Sequence, residues 1–171
     1  MTKRLHTASV IQMLLVALVT VTPAFGQGGH GGHGMMGHGA HAADMQVFHQ
    51  LFDHRAEITR QVVPRSDGIE TVTESVNPEV TRLLQTHVAS MLARVKEGRP
   101  IHQRDPLFVE LFKNADRIEA RHELTTGGVR VIETSKDAFV VKLLQAHAEV
   151  VSAFLANGMS EMMKNHPVPP R

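Results

Sequence analysis

The sequence predicts an α+β domain in which one helix–β-hairpin–helix unit is used twice. Three observations carry this: an internal repeat, helical apolar stripes at both ends of each repeat, and β-rich runs around turn residues between them. Residues 47–98 lie on residues 107–158 at a constant offset of 60 with no gap, and 13 of the 52 positions are identical. Phe48, Leu51, Phe52, Ile58, Gly68, Ser75 and Val80 meet Phe108, Leu111, Phe112, Ile118, Gly128, Ser135 and Val140. Leu83, Leu84, Gln85, His87, Ala93 and Gly98 meet Leu143, Leu144, Gln145, His147, Ala153 and Gly158. Most of these are apolar or Gly, as a shared core and shared turns require. Besides the Ser at a helix-cap position, the polar identities are the Gln and His of Leu-Leu-Gln-Thr-His and Leu-Leu-Gln-Ala-His.

In the first repeat, Val47, Phe48, Leu51, Phe52 and Ile58 form a helical stripe over about 44–57. Ile58–Val63 and Ile69–Ser75 read as strands, and Pro64 to Gly68 supplies the turn between them. Asn77 or Ser75 caps the next helix, with Pro78 in its first turn. That helix carries Val80, Leu83, Leu84, His87, Val88, Met91, Leu92 and Val95, and Gly98 ends it. The linker Arg99–Asp105 leads to the second repeat, where Asp105-Pro106 caps a helix through Leu107, Phe108, Leu111 and Phe112. Glu119–Thr125 and Val129–Thr134 form the second hairpin, and Ser135 or Asp137 caps the last helix.

A lone two-stranded hairpin is marginal in water. The two hairpins therefore join into one four-stranded antiparallel sheet packed by four helices, or they pair across a homodimer. The domain spans 44–164, about 120 residues, a normal size for one core.

The N-terminus reads Met-Thr-Lys-Arg, an apolar run from Val10 to Val21, then Ala24-Phe25-Gly26. This is the pattern of a secretory signal peptide over 1–26, since the apolar run is short of the ~20 residues that span a bilayer. An uncleaved membrane anchor is the other reading. Removal of 1–26 takes away Lys3 and Arg4, leaving 18 − 2 = 16 basic against 17 acidic residues. Such a balance, without a basic stripe, excludes nucleic acid as the expected partner. Residues 27–43 are rich in Gly, His and Met and are expected to be disordered. Residues 165–171 are expected to be a short extended tail, with His166 unpartnered.

The chain has no cysteine. Covalent haem attachment, iron–sulfur clusters and thiolate nucleophiles are excluded, and any metal must take His, Met, Asp or Glu. His87 and His147 sit on apolar stripes, repeat exactly in register, and would face one interior spot if their helices pack together. Neutral imidazole ligates copper, zinc and haem iron. The alternative is a pair of core histidines satisfied by hydrogen bonds. Met91 follows His87 by one helical turn and adds a soft ligand or plain packing. His30, His33, Met35, Met36, His38 and His41 form a second, loose set suited to copper in an oxidising compartment. Gln85 and Gln145 lie roughly 160° around the helix from the histidines, on the side expected to meet a sheet edge or hairpin. His122 is read as a surface strand residue. Glu57, Glu70, Glu74, Glu119 and Glu133 are read as charge pairs on the sheet surface. No catalytic residues are expected, since no nucleophile elbow, phosphate loop, zinc-protease helix or calcium loop is present.

Glu70 to Ser75, Asp105 to Phe108 and Glu133 to Ser135 together resemble segments of small exported bacterial proteins. That resemblance covers most of the domain and implies no activity, cofactor or substrate. The leading expectation is a periplasmic or secreted, non-catalytic metal-binding protein, with copper as the metal. A non-covalent haem b protein with His87 and His147 on opposite faces of the iron is the second. Leu84, Val88, Leu144 and Val151 would then line the pocket. A structural module with two buried, hydrogen-bonded histidines is the third. The expected partners are a metal ion and either a second copy or another periplasmic protein, with no membrane contact after signal cleavage.

Overall fold

A computed structural model describes the backbone of residues 35–171 and the side chains of 41–171. The signal segment, His30 and His33 lie outside the described residues, and the side chains of Met35, Met36 and His38 do so too.

The elements run in the order α1 (Met35–Asp53), β1 (Ile58–Arg65), β2 (Gly68–Ser75), α2 (Pro78–Glu97), α3 (Pro106–Lys113), β3 (Glu119–Leu124), β4 (Gly128–Thr134), α4 (Ala138–Asn157) and α5 (Met159–Met162). A 3-10 turn precedes each hairpin, at Arg55–Glu57 and Ala115–Arg117. The fold is α+β, with one four-stranded antiparallel sheet in the order β1-β2-β4-β3. Both hairpins therefore pair within one chain. β2 meets β4 from Gly68↔Thr134 to Glu74↔Gly128. Gly128 is required there, because a Cβ would collide with the carbonyl oxygen of Thr73.

Caps set the helix boundaries. Asn77 accepts from the Glu79 amide, Asp105 from Leu107 and Asp137 from Phe139. Gly98 ends α2 in the left-handed region, φ 62°, where its amide bonds back to the carbonyls of Arg94 and Val95. α1 starts at Met35, so residues 35–43, expected as disordered, are helical here. They continue a helix that docks through Leu51 and Phe52, which lowers the cost of extending it.

α2 and α4 lie on one face of the sheet, and the repeated glutamines tie them to it. Gln85 on α2 donates to the carbonyls of Gly128 (3.1 Å) and Thr125 (3.4 Å) in the β3–β4 turn. Gln145 on α4 donates to Arg65 (3.1 Å) and Gly68 (3.4 Å) in the β1–β2 turn. Each long helix is thus fastened to the hairpin of the other half. The core holds Ile69, Leu107, Val140, Leu143 and Leu144, each at most 1% exposed. α4 is long and apolar enough to cross a membrane by composition, but its apolar residues Val140, Leu143, Leu144 and Phe154 build this core.

Two polar clusters hold the ends of the domain. Asp44 on α1 accepts from Arg94 Nε at 2.6 Å and from Ser90, latching α1 onto α2. At the other end His166 is held rather than loose, contrary to expectation. Its Nδ1 lies 2.5 Å from Asp105, a carboxylate with no exposed surface, and its Nε2 lies 3.2 Å from Glu161. Lys142 donates to the carbonyl of Pro170, and the Arg171 guanidinium stacks over Phe139. Apart from His166 to Glu161, these contacts join residues far apart in sequence, which is why periodicity did not reveal them.

Candidate cofactor cavity

A cavity of about 500 Å³ lies between the helices and the sheet. This is the size of a small-molecule or cofactor site, where a mostly apolar wall carries a few polar groups. α2 contributes Leu84, His87, Val88 and Met91; α4 contributes His147, Val151 and Phe154. α1 adds Met45 and Phe48, and the segment Pro100–Arg104 adds its side chains at the edge. The sheet forms the floor through Arg60, Thr71, Thr73, Val131 and Glu133. Three of the four expected apolar lining residues are present. Leu144 is not among them: it is fully buried in the core, because its position on α4 turns it away from the cavity.

His87 and His147 both line this cavity. An aromatic ring packs edge-on against each: Phe48 at 4.6 Å from His87 and Phe108 at 5.1 Å from His147. Phe48 and Phe108 are themselves mates in the sequence repeat. The Nδ1 atom of each imidazole is sealed in protein without a hydrogen-bond partner. The hydrogen bonds that a purely structural reading requires are therefore missing at these atoms.

Burial pushes the His87 pKa down to about 4, with Arg60 acting the same way and Asp44 opposing. Burial does the same to His147, again to about 4, helped by the charges of Arg60 and His87 and opposed by Asp105. By surface area the two rings are only partly buried. The accessible part of each residue faces the cavity. At neutral pH both rings are uncharged, the form in which imidazole has a lone pair for a metal.

Met91 lines the same cavity one turn beyond His87. His41 is exposed and lies at its edge. Among the described residues, no group of three or more His, Asp or Glu is placed to share a metal ion. His122 is exposed on β3, as expected for a surface strand residue.

Two charged residues also line the cavity: Arg60, which the sequence did not single out, and Glu133, expected on the sheet surface. Arg60 donates from NH1 to Thr73 Oγ1 at 2.7 Å, and its Nε is buried without a partner. Burial lowers the Arg60 pKa to about 10, so it stays charged at neutral pH. Glu133 does not join a surface charge pair: burial raises its pKa, with Arg60 partly opposing. Glu70 behaves as expected, pairing with Arg130 at 2.9 Å. Strand alternation holds the missed signal. Arg60 sits between Ile58 and Val62, and Glu133 follows Val129 and Val131 at the same period of two, on the helix-facing side.

His102 also lines the cavity. Its backbone has φ 57°, an uncommon value for a side-chain-bearing residue. Its ring lies edge-on to Phe108 at 4.8 Å, and burial lowers its pKa. It stands 3.7 Å from Asp105, which links the cavity edge to the His166 cluster.

No family model, curated protein or solved structure matches the chain.

Proposed function

We propose that this is an exported, non-catalytic protein that holds a haem b non-covalently, with His87 and His147 as the iron ligands. The observation that carries the reading is a 500 Å³ apolar cavity into which two imidazoles, both resistant to protonation, project from separate helices. A planar macrocycle uses the apolar volume, and a neutral imidazole supplies a nitrogen to iron. The edge-on packing of Phe48 and Phe108 restrains the two imidazole planes. When bound, the haem would supply electron-transfer chemistry at its iron.

The test is a haemin titration of the purified chain followed by absorbance. A Soret shift saturating at one equivalent is expected. His87→Ala and His147→Ala each should alter the spectrum and weaken binding by about tenfold or more. Absence of any Soret shift, with the chain folded by circular dichroism, would overturn the reading.

Copper is the second reading, favoured by Met91 beside His87 in the same cavity. Two imidazoles and a thioether suit Cu(I). A single ion, however, leaves most of the apolar volume without a role. One equivalent of Cu(I) that resists a competing chelator, and is lost in Met91→Leu, would favour copper over haem. The Gly/His/Met segment at 27–43 is an accessory metal-binding element in either case, and deleting only 27–34, ahead of α1 and of His41 at the cavity edge, tests part of its contribution apart from that of the cavity.

A further inference from the structure

The cavity floor carries a charge for which the iron-ligand reading has no use. Arg60 lies on β1 opposite Thr73, and its guanidinium reaches the helix-facing side of the sheet. One nitrogen is held by Thr73, while Nε is buried and unpartnered. Glu133, the acid that acts on it through space, stands on β4 opposite Ile69, and burial favours its neutral form. A buried cation without a contacting anion is costly, because its lost hydration is not replaced. With Nε sealed and one terminal nitrogen on Thr73, the remaining guanidinium N–H groups are the donors open to the cavity, and a carboxylate is the partner that a guanidinium binds most strongly.

We infer that the ligand of this cavity carries a carboxylate, and that Arg60 anchors it on the sheet floor with the hydroxyls of Thr71 and Thr73 beside it. This rests on the reading of the cavity as a ligand site but not on the ligand being haem. The propionates of haem b and the head of a fatty acid offer the same chemistry. In either case the apolar body lies against the helices and the charged end against Arg60.

The experiment compares two acids with their esters on the full chain: haemin with its dimethyl ester, and laurate with methyl laurate. Affinities are measured by absorbance and calorimetry for the native chain, Arg60→Gln and Arg60→Lys. Each acid should bind about tenfold or more tightly than its ester. Arg60→Gln should remove that preference, and Arg60→Lys should restore part of it. If laurate shows the preference and haemin gives no Soret shift, the anchor stands and the haem reading falls. If haemin and its ester bind equally well to the native chain, or Arg60→Gln keeps the preference, the inference is overturned while haem binding stands. If neither acid binds, both fall. Should Arg60→Gln fail to fold, the acid-over-ester preference of the native chain decides the matter.

Discussion

Acidification of the ligand-free protein reads out the environment of the two cavity histidines directly. Each ring has an ordinary pKa of 6.5 when the chain is unfolded and about 4 in the folded state. Between these values the unfolded chain binds a proton that the folded chain refuses. Stability is therefore intact above the unfolded value and falls as pH drops through the window between the two. One pKa unit corresponds to about 1.4 kcal/mol, so at pH 5 each ring lowers stability by about 2 kcal/mol and the pair by about 4. That is a large share of the ~5–15 kcal/mol that holds a typical domain. His102, also lowered by burial, acts in the same direction. His166 acts in the opposite direction. Burial alone would lower it, but Asp105 and Glu161 outweigh burial and raise its pKa, so it favours the fold at low pH. The assay is urea unfolding at pH 7.5 and pH 5, for the native chain and for the double variant His87→Leu/His147→Leu. The native chain should lose about 4 kcal/mol more than the double variant, whose remaining pH dependence comes from His102 in one direction and from His54, Glu133 and His166 in the other. A pH-dependent loss that differs by less than about 1 kcal/mol between the two chains would refute the reasoning, as would a larger loss in the double variant. Either result would mean that water in the cavity solvates the imidazolium ions and that the rings are not held neutral.

Arg94→Ala strands the buried Asp44 carboxylate, so it should cost about 3–5 kcal/mol, measured as a shift in the urea midpoint. Adding Asp44→Ala should recover part of that loss. Gln85→Ala and Gln145→Ala each remove a helix-to-turn tie and should each cost about 1 kcal/mol, by similar amounts in thermal melts. A cost at one site only would show that the two ties are not equivalent. His166→Ala removes the partner of a fully buried Asp105, and cleavage after Lys164 by trypsin should speed up as the C-terminal residues detach. An unchanged digestion rate would mean that Pro170 and Arg171 suffice to hold them.

Local features were legible in advance because they depend on neighbours in sequence. The caps at Asn77, Asp105 and Asp137, the stop at Gly98 and the two hairpins follow from side-chain oxygens, φ preferences and alternation within a few residues. Helical geometry alone turns Gln85 and Gln145 toward a sheet edge or a hairpin, and their hydrogen bonds show that each meets a hairpin turn, and which one. The length of α1 was less legible, since a Gly-rich stretch has weak local signals of its own. Glu133 and Arg60 were misread or missed because charged residues near turns are normally solvated. The alternation that carries them inward conflicts with that expectation and overrides it.

Taken alone, the amino-acid order determined an α+β fold, a repeated pattern of residues, and a pair of histidines on apolar helical faces. Each of these rests on periodicity, which short-range backbone geometry converts directly into a face or a turn. Only the tertiary structure decided that the hairpins pair within one chain, that each long helix is fastened to the other half's hairpin, and that Leu144 leaves the cavity wall while Arg60 and Glu133 join it. It also decided that His166 closes onto Asp105. These outcomes depend on contacts between residues 40 to 80 positions apart, where the register of β2 on β4 and the packing of α2 beside α4 choose among arrangements that local preferences leave equal in energy.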